Sequence, residues 1–481
     1  MKNIKFFLFA ALSAFVFSAC EQNTQAKYVF YFIGDGMGPN QILGTEMYLA
    51  DLEGRLGYEP LFFTQFPVAG MARTYSASSD VTDSAAGGTA LASGQKTTNG
   101  FVGVLPDSTA IPTIAELCKQ KGMGVAICTS VSIDHATPAC FYAHEPGRKR
   151  YYEIGTWLPE SGVDFIAGAG FIKPYKKDDN TAPMLYDLAQ QADYCIARGI
   201  EDYEQKKAGA KKMMLIQETD ALPENNYKSA SSIPMHIDHV EGALTLEQIT
   251  RAAIDFTPKE NGFFMMIEGG MIDWGSHNND AMSAFGEVIE FDKAIQVAYE
   301  FYKQHPKQTL IVISADHETG GLSLASGGEY WLKPSKLQRQ KMNGFGFAEK
   351  LYAELDKMPH EDIITNKPEG YLKAQLQEVF GMYDEDFAIT ADEEQAIMNC
   401  IFAHYKCKRN IRPSSYGNFY ELDRVLTRIF DKRANIAWTT TGHTAANVPV
   451  IAVGAGAEQF DGWQDNIEIV KKIARLAGVE M

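Results

Sequence analysis

Five short, continuous apolar runs constrain the fold more than any other feature of this sequence. The runs cover residues 28–33, 124–128, 263–267, 309–313 and 449–453. Strands that are apolar on both faces suit the interior of a parallel sheet whose two sides are covered by helices. Between two of the runs, Val288, Phe291 and Ile295 recur at helical spacing, and Pro306 follows as a stop signal. The sequence therefore predicts an α/β fold, a three-layer α/β/α sandwich around a mostly parallel central sheet.

Residues about 322–435 interrupt this alternation of strands and helices. The stretch is richer in Lys, Glu and Tyr, and it has a mostly helical pattern. Thr390 and Glu393 have the spacing of a capping box at the start of a helix. We predict a mostly helical subdomain, inserted into a catalytic domain that covers residues 21–481.

The first twenty residues have the pattern of an export signal. Lys2 and Lys5 precede an apolar run at 6–17, which is too short for an ordinary membrane span, and small residues lead to Cys20. The segment resembles a bacterial lipoprotein signal, in which Cys20 carries the lipid anchor; a plain signal peptide is the alternative. Both interpretations predict export, to the periplasm or to the outer membrane as an anchored lipoprotein. The pairing of the six later cysteines stays open.

The net charge of −17 excludes one class of partner. Specific binding of nucleic acid depends on clustered Lys and Arg, and this acidic chain does not favour it. A phosphate ester can still be bound where a site supplies its own positive ions.

Polar residues follow several of the predicted strands. Asp35 comes after the first run, Glu268 directly after the third, and Asp316 and His317 after the fourth. In open α/β sheets, ligands bind outside the carboxyl ends of the strands. We therefore expect these side chains to converge on one edge of the sheet.

Ser84 lies in Asp83-Ser84-Ala85, followed by further small residues. This pattern predicts a serine at a helix N-terminus, where backbone N–H groups and the helix dipole stabilise an anion. The serine alone also fits an ordinary helix cap. Its hydroxyl needs a base or a metal ion to become a good nucleophile.

Further candidate ligands lie apart in the sequence. Asp273 and His277 are four residues apart, so on a helix they share a face and can hold one ion, while His443 precedes the last strand. Asp and neutral His suit zinc, whereas Glu with hydroxyl groups and water suits magnesium. His135 and Thr137 precede Arg148, whose planar guanidinium matches two phosphate oxygens. His236 and His239 also have a ligand-like spacing, with no further support.

Together these segments resemble the alkaline phosphatase family, and they follow the family's order along most of the chain. The matching segments are Gly34 to Gly38, Asp83 to Ala85, Gly94 to Gly100, His135 to Thr137, Arg148, Glu268 to His277, Asp316-His317 and Gly442-His443.

The resemblance implies hydrolysis of phosphate monoesters through a phosphoserine on Ser84, at a site with two zinc ions and one magnesium ion. It assigns one zinc to Asp273, His277 and His443, and the second to Asp35, Asp316, His317 and Ser84. It assigns the magnesium to Asp35, Glu268 and Thr137, next to His135, and the substrate phosphate to Arg148. Since the family is often dimeric, a homodimer is possible.

Two positions depart from patterns seen in the family. Some members have Asp where this chain has His135, and a neutral imidazole there weakens the preference of the third site for a hard ion. Trp274 stands where some relatives carry Lys or His, which removes a positive group near the phosphate.

Three alternatives accompany this interpretation. A phosphodiesterase of the same superfamily usually lacks the Glu and Thr of the third site, which Glu268 and Thr137 supply here. A sulfatase needs a Cys or Ser in a different motif from Asp83-Ser84-Ala85. A non-catalytic phosphate-binding lipoprotein would be expected to have lost Ser84, Arg148 or a zinc ligand, and this chain has all of them.

Overall fold

A computed structural model describes residues 25–217, 231–407, 411–414 and 417–481. The export signal and Cys20 lie outside this part, so export and lipidation stay predictions. Within the described residues, no helix combines the length and the apolar character needed to span a membrane.

A ten-stranded sheet forms the centre of the molecule, with the strand order β16-β2-β15-β8-β1-β7-β3-β4-β6-β5. All neighbours in this sheet are parallel except β15, which runs antiparallel to β2 and β8. The strands, including short pairs outside this sheet, are β1 Tyr28–Ile33, β2 Val68–Arg73, β3 Gly124–Thr129, β4 Phe165–Gly168, β5 Tyr194–Arg198, β6 Lys212–Ile216, β7 Phe263–Glu268, β8 Thr309–Ser314, β9 Glu318–Thr319, β10 Leu322–Leu324, β11 Ile411–Ser414, β12 Gly417–Tyr420, β13 Ile436–Trp438, β14 His443–Thr444, β15 Val448–Gly454 and β16 Gly462–Asp465.

Helices surround the sheet, which confirms the predicted α/β class. They are α1 Pro39–Leu52, α2 Ser84–Ser93, α3 Ile114–Gln120, α4 Ala136–Ala139, α5 Tyr151–Trp157, α6 Leu185–Gln191, α7 Ile200–Lys206, α8 Leu246–Phe256, α9 Met271–His277, α10 Ala281–Gln304, α11 Gly344–Leu355, α12 Glu369–Phe380, α13 Ala391–Cys407, α14 Glu421–Ala434 and α15 Asn466–Ala477. The helix predicted from Val288, Phe291 and Ile295 is α10. All three side chains are buried, because α10 packs its apolar face inwards.

The five predicted core strands form β1, β3, β7, β8 and β15, and every residue of the first four is buried. This burial explains why their sequences are continuously apolar rather than alternating.

The stretch between β10 and β13 has a hydrophobic core of its own. Side chains from α11, α12, α13 and α14 pack together there, among them Phe347, Leu376, Ile401 and Phe430. Thr390 and Glu393 exchange backbone-to-side-chain hydrogen bonds at the start of α13, as the capping-box spacing predicts. The subdomain boundaries at about 322 and 435 stay a prediction.

Candidate active site

Strand register brings two acidic side chains together at the carboxyl edge of the sheet. Ile33 at the end of β1 pairs with Ser314 at the end of β8, so Asp35 and Asp316 both lie two residues beyond the matched pair. On its other side, Ile33 pairs with Glu268, the last residue of β7. Asp35, Asp316 and Glu268 have no exposed surface. The predicted convergence of these side chains is therefore present in the structure.

Ser84 is the first residue of α2 and faces the same edge. Its Oγ lies 3.2 Å from His317 Nε2. The small residues of α2 allow the close approach: a Cβ on Gly87 would lie 3.0 Å from the Asp316 carbonyl, and one on Gly88 would lie 3.3 Å from Thr137 Cα. Gly87 and Gly88 thus bring Ser84 against the strand ends.

Asp83 connects Ser84 to Arg148. It is the N-cap of α2, and its side chain accepts hydrogen bonds from the backbone N–H groups of Ala86 and Gly100. The same carboxylate pairs with Arg148 at 3.0 Å, and both side chains of the pair are largely buried. The guanidinium and the nucleophile candidate are therefore held by one residue.

Three groups of side chains each bring three potential metal-ligand atoms within 4.8 Å of one another. They are Asp273, His317 and His443; Asp35, Asp316 and His317; and Asp35, His135 and Glu268. His277 approaches the first group, with Nε2 lying 3.1 Å from His443 Nε2 and 3.3 Å from Asp273 Oδ2. Thr137 lies at the third group, where its hydroxyl is 3.4 Å from Asp35 Oδ2. All ten predicted ligands thus come together at one site.

Backbone carbonyl groups orient two of the histidines. His277 Nδ1 lies 2.6 Å from the Thr441 carbonyl oxygen, and His443 Nδ1 lies 2.9 Å from the Thr82 carbonyl oxygen. A carbonyl oxygen only accepts, so each imidazole carries its proton on Nδ1. Each Nε2 then carries the lone pair through which an imidazole binds a metal ion.

The donor set fits divalent cations. One oxygen each of Asp35, Glu268, Asp273 and Asp316 is buried and accepts no hydrogen bond within the described part of the chain. Burial, together with neighbouring carboxylates, raises the pKa values of Asp35 and Asp316 well above their usual range. Burial also raises the pKa of Glu268 to about 7. Ionised carboxylates crowded in this way are costly unless cations lie between them, and oxygen and imidazole donors suit zinc and magnesium.

His135 and Trp274 lie side by side at the third group. Their rings are 6.1 Å apart and edge-to-face. Burial, with the nearby Arg148 cation, lowers the pKa of His135 to about 3. His135 is therefore neutral at physiological pH and adds no negative charge to a third ion.

Three residues that the sequence did not single out support the candidate ligands or the strands beside them. Thr129 donates a hydrogen bond to Glu268 at 2.5 Å, and Thr319 donates one to Asp273 at 2.5 Å. Glu318 accepts hydrogen bonds from Gln41, Gly321 and Thr444. Thr129 ends a core strand, and Thr319 follows His317 by two residues. These two positions were the sequence features from which Thr129 and Thr319 could have been identified.

His236 and His239 line a separate cavity of about 360 Å³, together with Glu287 and Glu290. His236 Nδ1 pairs with Glu290 at 2.9 Å. Neither histidine belongs to a three-ligand group among the described residues. Within the residues that the structure describes, the spacing of His236 and His239 therefore gives no support for a metal site.

Glu287 in this cavity predicts a pH dependence of stability. Burial, opposed by a hydrogen bond from the His236 backbone N–H and reinforced by Glu290, raises its pKa to about 8, against 4.5 in an unfolded chain. Between these values the folded state binds more protons than the unfolded state, so the free energy of unfolding falls as pH rises from about 4.5 to about 8.

Glu287→Gln removes this titration. We expect its free energy of unfolding, relative to wild type, to rise by a few kcal/mol between pH 5 and pH 8 and to level off above pH 8. Urea unfolding of both proteins across this range measures the difference, with Glu247→Gln at the same cavity as the control. Parallel curves for wild type and Glu287→Gln would show that Glu287 does not titrate in this way.

Comparison with known proteins supports one family. The family model for alkaline phosphatase matches residues 26–168 and 228–479. Alkaline phosphatase 3 of Bacillus subtilis (strain 168) is 31% identical over 460 residues, covering 93% of this chain and 88% of that protein. The alkaline phosphatase of Schizosaccharomyces pombe is 30% identical over 468 residues, covering 93% of this chain and 80% of that protein.

Solved structures of similar proteins support the same family. The cold-active alkaline phosphatase of a psychrophilic Shewanella sp. is 28% identical with a TM-score of 0.76, covering 94% of this chain and 99% of that one. A variant of TAB5 alkaline phosphatase, with a histidine replaced by glutamate, has Mg bound in its M3 site. It is 26% identical with a TM-score of 0.64, covering 95% of this chain and 99% of that one.

Proposed function

The chain belongs to the alkaline phosphatase family, and on this basis we propose that it hydrolyses phosphate monoesters to an alcohol and inorganic phosphate through a phosphoserine on Ser84. The observation that carries the proposal is the convergence of Ser84 and the Asp83–Arg148 pair with three groups of potential metal ligands. A serine, a guanidinium and several cation sites together supply what phosphoryl transfer requires.

Ser84 attacks the phosphorus atom. Its position at the start of α2 places the serine oxygen where the helix dipole favours negative charge. The 3.2 Å contact with His317 Nε2 places the same oxygen beside the Asp35, Asp316 and His317 group. Attack forms the bond between serine oxygen and phosphorus and breaks the bond from phosphorus to the ester oxygen.

Arg148 holds the non-bridging phosphate oxygens. Its ion pair with Asp83 fixes the guanidinium beside the helix that carries Ser84. The planar guanidinium matches two phosphate oxygens in geometry. The residues of the three groups would hold two zinc ions and one magnesium ion. When bound, these ions supply Lewis acidity at the attacking and leaving oxygens and lower the pKa of water for the second step, in which water releases phosphate from Ser84.

His135 bears on the third ion. Its neutral imidazole joins Asp35 and Glu268, so this group contains one carboxylate fewer than a site with Asp at that position. Mg occupies the M3 site of the TAB5 variant in which a histidine is replaced by glutamate. We accordingly propose that the third site of this chain binds magnesium more weakly than a site with a third carboxylate.

Ester selectivity tests the proposed function. We expect kcat/KM for p-nitrophenyl phosphate to exceed that for bis-p-nitrophenyl phosphate and for p-nitrophenyl sulfate by at least about 10²- to 10³-fold. The reason is that a diester or a sulfate ester carries less negative charge than a phosphate monoester. Its interaction with Arg148 and with the bound cations is therefore weaker by several kcal/mol. The measurement uses one protein preparation with zinc and magnesium supplied. A preference for the diester or for the sulfate ester would replace this proposal with the corresponding activity.

A further inference from the structure

Three histidines meet at the candidate zinc ligands, and each is held through Nδ1. For His277 and His443 the partner is a backbone carbonyl oxygen. For His317 the partner is the Thr319 hydroxyl, whose Oγ1 lies 3.2 Å from Nδ1. A hydroxyl can donate or accept, so this contact alone leaves the His317 tautomer open.

A second hydrogen bond determines which group donates in the contact between Thr319 and His317. Thr319 Oγ1 also lies 2.5 Å from Asp273 Oδ1, and an ionised carboxylate only accepts. The single hydroxyl proton is therefore directed to Asp273, and the oxygen accepts from His317 Nδ1–H. His317 then presents Nε2 as a lone-pair donor towards Ser84 and the Asp35 and Asp316 carboxylates.

We propose that Thr319 is a positioning residue that holds one ligand of each candidate zinc ion, Asp273 for the first and His317 for the second. This inference rests on the proposed function. One hydroxyl proton couples the orientation of the carboxylate to the tautomer of the imidazole. One ligand of each metal site is thereby oriented by the same hydroxyl group.

The surroundings of Thr319 hold its hydroxyl in place. The residue has no exposed surface. Its strand, β9, pairs with β14, so Thr319 lies opposite His443. Gly36, with φ of +72°, makes room: a Cβ at that position would lie 2.9 Å from Thr319 Oγ1.

Glu318 fixes the other half of this two-residue strand. Its carboxylate accepts hydrogen bonds from Gln41, from the backbone N–H of Gly321 and from the Thr444 hydroxyl. Thr444 follows His443, so the same carboxylate also anchors the strand that carries a third ligand. The hydroxyl of Thr319 is thus placed by buried contacts on both sides of the strand.

Thr319→Val removes the hydroxyl and keeps the branched shape, whereas Thr319→Ser keeps the hydroxyl. Loss of a hydrogen-bonding partner of metal ligands typically weakens metal binding by about 10- to 100-fold. We expect Thr319→Val holoenzyme to lose zinc to a competing chelator at about 10- to 100-fold lower chelator concentration than wild type, and Thr319→Ser to stay within about threefold. Thr250→Val, a buried threonine in α8, is the matched control and should behave as wild type.

A spectroscopic measurement separates positioning from general stability. Nitrogen-15 NMR of the imidazole groups in metal-depleted protein should show His317 protonated on Nδ1 in wild type and in Thr319→Ser, and a mixture of tautomers in Thr319→Val. If Thr319→Val does not fold, the same measurements are made on Thr319→Ala, with the same expected results.

The outcomes distinguish this inference from the function on which it rests. If wild type binds zinc and hydrolyses monoesters while Thr319→Val retains zinc as tightly and keeps the wild-type tautomer, the role of Thr319 is overturned and the proposed function stands. If wild type itself shows neither zinc binding nor monoester hydrolysis, the proposed function fails, and the role of Thr319 fails with it.

Discussion

Replacement of Ser84 by alanine is expected to lower kcat for p-nitrophenyl phosphate by about 10⁴- to 10⁶-fold, the range seen when a nucleophile is removed from a preorganised site. Ser84 is the first residue of α2, and its oxygen lies 3.2 Å from His317 Nε2. Without this oxygen, the phosphoryl group has no acceptor on the protein, and only direct attack by water remains. Initial rates at saturating substrate, with metals supplied, measure the loss.

Ser93→Ala provides the control for this substitution. Ser93 lies at the other end of the same helix, where its hydroxyl donates a hydrogen bond to the Thr89 carbonyl oxygen. This variant should keep activity within a few-fold of wild type. Retention of more than about one hundredth of wild-type kcat by Ser84→Ala, after metal content is matched, would contradict the serine route.

Removal of metal ions is expected to abolish activity and to lower stability together. The carboxylates of Asp35, Asp316 and Glu268 are buried and adjacent, and each has an oxygen without a hydrogen bond among the described residues. Each bound cation stabilises the folded state by about 4 kcal/mol when its concentration is a thousandfold above its Kd. Thermal unfolding and hydrolysis of p-nitrophenyl phosphate are measured before and after chelation, then again after zinc and magnesium are restored.

The decisive comparison is between the protein after chelation and the same protein after the metals are restored. Chelator already saturated with zinc serves as the control, because it cannot remove ions from the site. We expect unfolding temperature and activity to fall with free chelator and to recover with added metal. Full activity at less than one metal ion per chain would contradict a metal-dependent mechanism.

Several site residues could be predicted from sequence because strand ends determine their place. A buried parallel strand is recognisable as a continuous apolar run, and the residue after it lies at the carboxyl edge. Asp35, Glu268 and Asp316 follow directly from this rule. Asp273 and His277 share one face of α9 because they are four residues apart on a helix.

Other features depend on contacts that sequence spacing does not encode. A continuous apolar run has the same pattern in either direction, so the antiparallel direction of β15 could not be predicted from it. The pairing of Asp83 with Arg148 joins residues 65 positions apart. The Thr319 hydroxyl contacts Asp273 across 46 positions, and its direction of donation depends on two distances at once. These contacts are set by tertiary packing of the loops at the sheet edge.

Acid quenching of the enzyme during turnover, followed by peptide mass spectrometry, tests directly for the proposed phosphoserine on Ser84. We expect one phosphoryl group on the peptide that contains Ser84, present when p-nitrophenyl phosphate is being hydrolysed and absent from Ser84→Ala. Substantial hydrolysis with no phosphoryl group on Ser84 at any quench time or pH, or a phosphoryl group on another residue, would contradict it.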